Sequence, residues 1–170
     1  MISDKVQKAI NDQIHAELSA SYSYLAMSAY CDRSNFSGAA QWLRVQSREE
    51  YAHAMRLLDF MLARDHKVTL VELPKPRSEY SSLLDVFETA FEQEQAVSKQ
   101  IEALYELAFT AKAYPAVVQL EWFLTEQVEE EKTCREVVAK LGMVGDDKAA
   151  QLEIDRELGV RTAMDKKGTA

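Results

Sequence analysis

The chain lacks the cysteine pattern of disulfide-rich and zinc-ribbon proteins. It has two cysteines, Cys31 and Cys134, which lie far apart and form no Cys-x-x-Cys pair. This excludes a disulfide framework and argues against a zinc-ribbon or rubredoxin-type site. A reduced, cytoplasmic setting is the simplest interpretation, and we expect both thiols to be structural.

Glycine and proline are also scarce, with five and three residues in a chain of 170. Hydrophobic residues make up 47% of the sequence, which at this length is enough for one sizeable core but not for two. We therefore expect a single domain over residues 1–160, followed by a polar tail at residues 161–170.

An excess of basic charge and long apolar runs are missing as well. The formal net charge is -8, whereas non-specific nucleic-acid binding needs clustered Lys and Arg. The acidic balance instead suits a protein that attracts cations. The first ten residues lack the basic start and apolar stretch of a signal peptide, and no segment is apolar enough to span a bilayer. We expect no nucleic-acid partner, no membrane association and no export.

Apolar residues recur at three- and four-residue intervals through most of the sequence, which predicts an all-helical protein. Ser3 and Ser82 can cap the first and third helices, and Pro115 fits the first turn of the fourth. Residues 33–38 supply turn residues between the first two helices. The first three predicted helices cover about residues 3–32, 39–64 and 82–110. The fourth begins at about residue 115 and ends at the stop formed by residues 142–145, and a short fifth covers residues 146–158.

The segment at residues 65–81 has two prolines and no helical period, and it is too long for an ordinary connection. A helix of seven turns is about 40 Å long, and an extended strand covers that distance in about a dozen residues. The segment can therefore cross the whole bundle and make helices two and three parallel. Because the other breaks are short, we predict a four-helix bundle with a single long crossover.

Each of the first two helices carries ionisable residues on its predicted core side. In the first, Glu17 and Tyr24 share the apolar stripe at three-, four- and seven-residue steps, so Glu17 is expected to point inward. In the second, Glu50 and His53 lie three residues apart on the inner face and could hold one metal ion together. The apolar stripe of the first helix is predicted to contain Ile10, Ile14, Leu18 and Leu25.

The third and fourth helices repeat this pattern. Glu94 interrupts the stripe of the third helix, and Gln127 and Glu130 interrupt that of the fourth. A buried carboxylate protonates or finds a cation, and no Lys or Arg occupies these stripes. One such acid is usually an edge residue or is paired locally, but four together favour bound metal. Hard oxygen ligands with one imidazole suit iron or manganese, and we predict iron.

With these residues the chain resembles the ferritin family, specifically the haem-free bacterial ferritins, from Ile2 to about Gly159. The resemblance implies a ferritin-like bundle in which Glu17, Glu50 and His53 hold one iron. Glu50 would bridge to a second iron, with Glu94 and Glu130 as its other ligands and Gln127 close by.

Two departures from related families bear on the cofactor. The fourth helix carries Gln127-x-x-Glu130 in place of the second Glu-x-x-His of symmetric di-iron proteins, as in ferritin rather than bacterioferritin or rubrerythrin. Tyr51 stands where the haem-binding methionine of bacterioferritin would follow the bridging acid. The resemblance therefore implies iron without haem.

A second acidic group, Glu49, Glu126 and Glu129, lies one step around helices two and four from the core stripe. Such a cluster can be an ordinary solvated face, but bacterial ferritins are similar in placing a third iron site there. Tyr24 and Trp122 resemble the redox-active aromatics of the family, although an aromatic at helical spacing is usually a core residue. We assign no chemistry to the remaining histidines.

The resemblance implies a ferroxidase that oxidises Fe(II) with O2 or peroxide and deposits ferric mineral inside a shell of twenty-four identical subunits. Two alternatives stay open at this point. One is a di-iron peroxidase or oxygenase without storage, and the other is a non-catalytic, metal-sequestering stress protein. The missing Cys-x-x-Cys pair counts against the first, and the complete set of intra-bundle ligands against the second.

Overall fold

The computed structural model describes residues 2–160, which form five helices and no strand. The predicted polar tail at residues 161–170 lies outside the described residues, and the single-domain boundary stays a prediction. No helix within residues 2–160 is long and apolar enough to cross a membrane. The helices are α1 (Asp4–Arg33), α2 (Ser37–Leu62), α3 (Leu83–Thr110), α4 (Tyr114–Val144) and α5 (Lys148–Leu158).

Helix starts follow the capping residues that the sequence indicates. The Ser3 side chain accepts a hydrogen bond from the backbone of Val6, and Ser82 accepts one from Asp85. These bonds satisfy backbone N–H groups that have no partner inside the helix. The start of α2 was placed two residues too late, because its N-cap, Phe36, gives no side-chain signal.

Three helices are followed, within three residues of their ends, by a residue whose backbone lies in the left-handed region. None of these three residues is glycine. Asn35, Asp65 and Lys112 have φ values of 64°, 55° and 55°. The residue after each donates a backbone hydrogen bond to the carbonyl five positions earlier, as in Phe36 N–H to Cys31 at 2.9 Å. This closing bond reverses the chain tightly after α1 and α3.

The core consists of two apolar clusters, one toward each end of the bundle. One contains Met27, Leu43 and Phe87, and the other contains Ile10 and Leu57. Helices α1 and α4 run from the second cluster to the first, whereas α2 and α3 run in the opposite direction. Helices α2 and α3 are therefore parallel, which confirms that the segment between them crosses the length of the bundle.

The buried stripe of α1 differs in part from the predicted one. It passes through Ile14, Glu17 and Tyr24 as expected, but Leu25 is 48% exposed and Leu18 is only half-buried. Leucines at positions 18 and 25 lie one residue, or about 100°, around the helix from Glu17 and Tyr24. Leu18 still packs against the second core cluster, so the prediction from apolar character was wrong only for Leu25.

Helix α5 packs against α2 and α4 through a close backbone contact. A Cβ atom added at Gly38 would lie 1.8 Å from the backbone oxygen of Asp155, and one added at Gly159 would lie 3.1 Å from the Gly38 Cα. The buried Asp155 side chain also accepts a hydrogen bond of 2.7 Å from the Ala39 backbone N–H. It thereby caps α2, whose own N-cap residue provides no side-chain bond.

Candidate metal centre

A layer of polar side chains separates the two apolar clusters. It lies at mid-helix in all four long helices, and its members are almost completely inaccessible to solvent. Four of the eight side chains named below are carboxylates, and no Lys or Arg side chain is buried in the described chain. The buried layer contains Glu17, Glu50, His53, Glu94, Gln127 and Glu130, together with Gln13 and Gln46.

Glu17, Glu50 and His53 converge within this layer. One ligand atom from each lies within 4.8 Å of the other two. The Nδ1 atom of His53 is 3.3 Å from Oε2 of Glu50. Glu17 Oε2 and Glu50 Oε2 are both buried and accept no hydrogen bond from an amide or hydroxyl group. A buried acceptor left in this state is costly, so these oxygens are the atoms most in need of a cation.

The two carboxyl groups of this cluster have opposite protonation preferences. Burial, followed by the charge of Glu50, raises the pKa of Glu17 well above the usual glutamate range. Burial also acts to raise the pKa of Glu50, but the hydrogen bond and charge of His53 and a bond from Glu17 outweigh it and lower that pKa. Glu17 therefore keeps its proton in the metal-free protein while Glu50 is ionised.

Glu94 takes part in a second hydrogen-bond network of the layer. The Tyr24 hydroxyl donates to its Oε1, and the Gln127 amide donates to its Oε2 at 3.2 Å. Burial and the charges of Glu50 and Glu130 raise the pKa of Glu94 well above the usual range. Tyr24 Oη also lies 3.8 Å from the Cys134 sulfur. Through its bond to Glu94, the tyrosine predicted to be redox-active directly contacts a predicted metal ligand.

Glu130 is connected to α2 through an amide. The Gln46 side chain donates to Glu130 Oε2 and, at 3.3 Å, to Glu50 Oε1. Glu130 also belongs to a second group of potential ligands. In this group, ligand atoms of His53, Glu126 and Glu130 lie within 4.8 Å of one another.

The predicted third-site residues lie at the edge of this arrangement. Glu126 and Glu49 are half-buried, whereas Glu129 is exposed and lies 3.9 Å from the ammonium group of Lys132. Within residues 2–160, the clusters of three ligating side chains include Glu126 but neither Glu49 nor Glu129. The structure thus brings one of the three acids to the buried centre and leaves two on the flank.

Trp122 packs beside the centre. Its ring lies edge-on to His53 with centroids 5.3 Å apart, and the guanidinium of Arg56 lies 4.2 Å from the ring centroid on the indole face. These contacts fix the imidazole plane. They assign Trp122 a packing role, and an electron-transfer role for it stays a prediction.

A family model described as a ferritin-like domain matches residues 7–144. The chain belongs to the ferritin family. It is 35% identical over 162 residues to the bacterial non-heme ferritin of Staphylococcus haemolyticus, covering 95% of this chain and 98% of that protein. It is 36% identical over 159 residues to a probable bacterial non-heme ferritin-like protein of Haemophilus influenzae, covering 94% and 96%.

Solved ferritins have the same fold. The open pore ferritin of the hyperthermophilic archaeon Archaeoglobus fulgidus superimposes with a TM-score of 0.94 at 41% identity, covering 95% of this chain and 99% of that one. A closed form of the Archaeoglobus fulgidus ferritin, engineered by mutagenesis, gives 0.93 at the same identity and coverage. These matches confirm the predicted ferritin-like helical bundle with a short C-terminal helix.

Sequence reasoning missed two residues of this ferritin centre. Gln13 is buried and donates a hydrogen bond of 2.9 Å to Glu17 Oε1, and Gln46 bonds two further acids. Each glutamine lies four residues before the acid on its own helix, so helical spacing alone could have shown the contact.

Proposed function

We propose that this ferritin oxidises Fe(II) at a two-iron centre in the bundle core and stores the ferric product. Glu17, Glu50 and His53 hold the first iron, and Glu50 bridges to the second. Glu94 and Glu130 complete the ligands of the second iron, with Gln127 beside it. In this scheme iron is the substrate, O2 or peroxide accepts its electrons, and no haem takes part.

The observation that carries this proposal is the convergence of two buried carboxylate oxygens, Glu17 Oε2 and Glu50 Oε2, with His53 in the bundle interior, where no amide or hydroxyl group bonds either oxygen. Four carboxyl groups are buried here, no Lys or Arg side chain within residues 2–160 is buried with them, and one imidazole, His53, lies among them. Two divalent cations supply the missing positive charge. Hard oxygen ligands also favour the higher charge of Fe(III) over Fe(II), which supports oxidation at this position.

Protons must leave as iron enters. Glu17 and Glu94 have raised pKa values and hold protons in the metal-free state, whereas a metal-ligating carboxylate is ionised. Binding of Fe(II) therefore releases protons, and affinity rises with pH through the range in which these groups titrate. The Tyr24 hydroxyl, which donates to Glu94, is the nearest phenol that could supply an electron.

A third iron position is proposed on the acidic flank, with Glu49, Glu126 and Glu129 as its ligands. Glu126 supports this because it also approaches His53 and Glu130 at the buried centre. A cation moving from the flank to the core would keep a carboxylate contact throughout. The same group would allow iron to pass in the other direction after oxidation.

Storage requires an assembled shell, and we propose twenty-four copies of this chain in the cytoplasm. The support is the likeness to ferritins over 95% of the chain and the net charge of -8. Acidic surface attracts cations over distances beyond direct contact. It would gather Fe(II) and provide carboxylates on which ferric mineral nucleates.

Rapid mixing of metal-free protein with Fe(II) in air tests the reaction. The native chain should form Fe(III) and consume oxygen much faster than Glu50→Ala or His53→Ala. Glu106→Gln, which changes an exposed acid on α3, is the matched control and should keep the native rate. Oxidation at the same rate in all four proteins would refute the ferroxidase proposal.

Size-exclusion chromatography after iron loading tests storage. A large, soluble, iron-filled particle is the expected product. Fast oxidation without retained iron would favour a di-iron peroxidase or oxygenase, and retained iron without catalysed oxidation would favour a sequestering protein.

A further inference from the structure

Two buried amides, Gln13 and Gln46, contact the carboxylates of the centre from outside the proposed ligand set. Gln13 Nε2 lies 2.9 Å from Glu17 Oε1, and Gln46 Nε2 lies 3.3 Å from Glu50 Oε1. Gln13 is 3% exposed and the other three side chains are fully buried. In both pairs the glutamine precedes its acid by four residues on the same helix.

The amides select which oxygen of each acid is available. Gln13 and Gln46 both bond an Oε1 atom, and no amide or hydroxyl group bonds the Oε2 atoms of Glu17 and Glu50. The Glu50 oxygen that Gln46 does not contact, Oε2, lies 3.3 Å from His53 Nδ1. The metal-facing oxygens are therefore those that the amides do not contact.

We propose that Gln13 and Gln46 are positioning residues that orient Glu17 and Glu50 before a cation arrives. This inference rests on the proposed metal site. With Oε1 held by an amide, each acid keeps its Oε2 turned toward the other acid and His53, and it presents that single oxygen to an incoming ion. A preformed set of ligand atoms binds more tightly, because no reorganisation is needed on binding.

Gln46 has an additional role across the bundle. Its amide also donates to Glu130 Oε2, and a side-chain amide has two N–H groups to share. It therefore links the proposed bridging acid on α2 with a ligand on α4. Loss of this link should disturb both metal positions, whereas loss of the Gln13 contact should disturb only the position that includes Glu17.

Cobalt(II) binding to the metal-free protein tests the inference without turnover. Calorimetry would give the affinity, and the visible absorption of Co(II) would report ligand geometry. Methionine matches glutamine in length but has no N–H donor. We expect Gln13→Met and Gln46→Met to weaken Co(II) binding by roughly 10- to 100-fold and to change the absorption band. Gln100→Met, an exposed glutamine on α3, should match the native protein.

A double-mutant cycle separates positioning from a general loss of stability. If Gln13 acts through Glu17, Gln13→Met should change Co(II) affinity by less than about twofold in a Glu17→Ala background. The same loss in both backgrounds, or no loss in either, would overturn the inference. Gln13→Leu provides a second donor-free variant if Gln13→Met does not fold. If Glu17→Ala binds Co(II) as tightly as the native chain, the metal site itself is wrong and this inference fails with it.

Discussion

Substitution of Glu17 by glutamine removes one ionisable group from the buried layer and preserves side-chain size. Burial and the Glu50 charge raise the pKa of Glu17, so the folded protein keeps a proton that the unfolded chain releases above about pH 4.3. Between these two pKa values the free energy of unfolding of the metal-free protein falls as pH rises, by about 1.4 kcal/mol per pH unit. Glutamine has no proton to lose, so Glu17→Gln should stabilise the metal-free protein at neutral pH.

The size of this gain has a limit set by the unfolded chain. Neutral pH lies about 2.7 units above an ordinary glutamate pKa, so the gain at pH 7 cannot exceed about 4 kcal/mol. In a chain of this size, each kcal/mol corresponds to about 2–4 °C in the unfolding midpoint. The same substitution removes a proposed ligand, so stabilisation by added Fe(II) or Co(II) should be lost.

Thermal unfolding of chelator-treated protein between pH 5 and pH 7.5, at one protein concentration, measures the effect. Glu17→Gln should have a higher midpoint than the native chain at pH 7.5, a smaller difference at pH 5, and a reduced slope between them. Some slope should remain, because Glu94 also has a raised pKa. Glu106→Gln should follow the native curve. A variant that is less stable at pH 7.5, or that keeps the full native slope, would refute the burial argument.

Three further predictions follow from the fold. Gly38→Ala places a Cβ atom 1.8 Å from the Asp155 backbone oxygen and should destabilise the α2–α5 contact by about 1–3 kcal/mol, measured as faster hydrogen exchange in α5. Ser82→Ala removes the α3 cap and should lower the free energy of unfolding by about 1 kcal/mol in a denaturant titration, with Ser78→Ala, at an exposed serine before α3, as the control. Burial raises the pKa of the Cys31 thiol to about 12, so iodoacetamide should label it at pH 8 only after unfolding, and labelling of the native protein would contradict this placement.

Much of the architecture could be predicted from the sequence because its signals are local or geometric. Ser3 and Ser82 mark helix starts through their capping chemistry. The segment at residues 65–81 is long enough to span the bundle, which requires parallel helices two and three. These features depend only on chain length and hydrogen-bonding capacity.

Other features depend on contacts that no local pattern encodes. Asn35 adopts a left-handed backbone conformation after α1. Asparagine tolerates this conformation but does not require it, so the residue type does not predict it. The close approach at Gly38 becomes visible only when α5 is present. Leu25 was placed in the core because hydrophobicity does not distinguish a stripe from its flank, and its 48% exposure shows the difference.

The centre was partly predictable for a related reason. Glu17, Glu50, Glu94 and Glu130 were expected to lie inward because each interrupts an apolar stripe, and all four are fully buried. Which oxygen of each acid accepts a hydrogen bond depends on side-chain rotamers, which spacing does not give. Gln13 escaped notice because a buried amide also satisfies an ordinary core position.

Anomalous diffraction at the iron edge, from crystals soaked anaerobically in ferrous salt, tests the central claim most directly. The account predicts two adjacent iron peaks, one between Glu17, Glu50 and His53 and the other between Glu50, Glu94 and Glu130. A bundle core without iron, or iron confined to the surface acids while these side chains bond only one another, would contradict it.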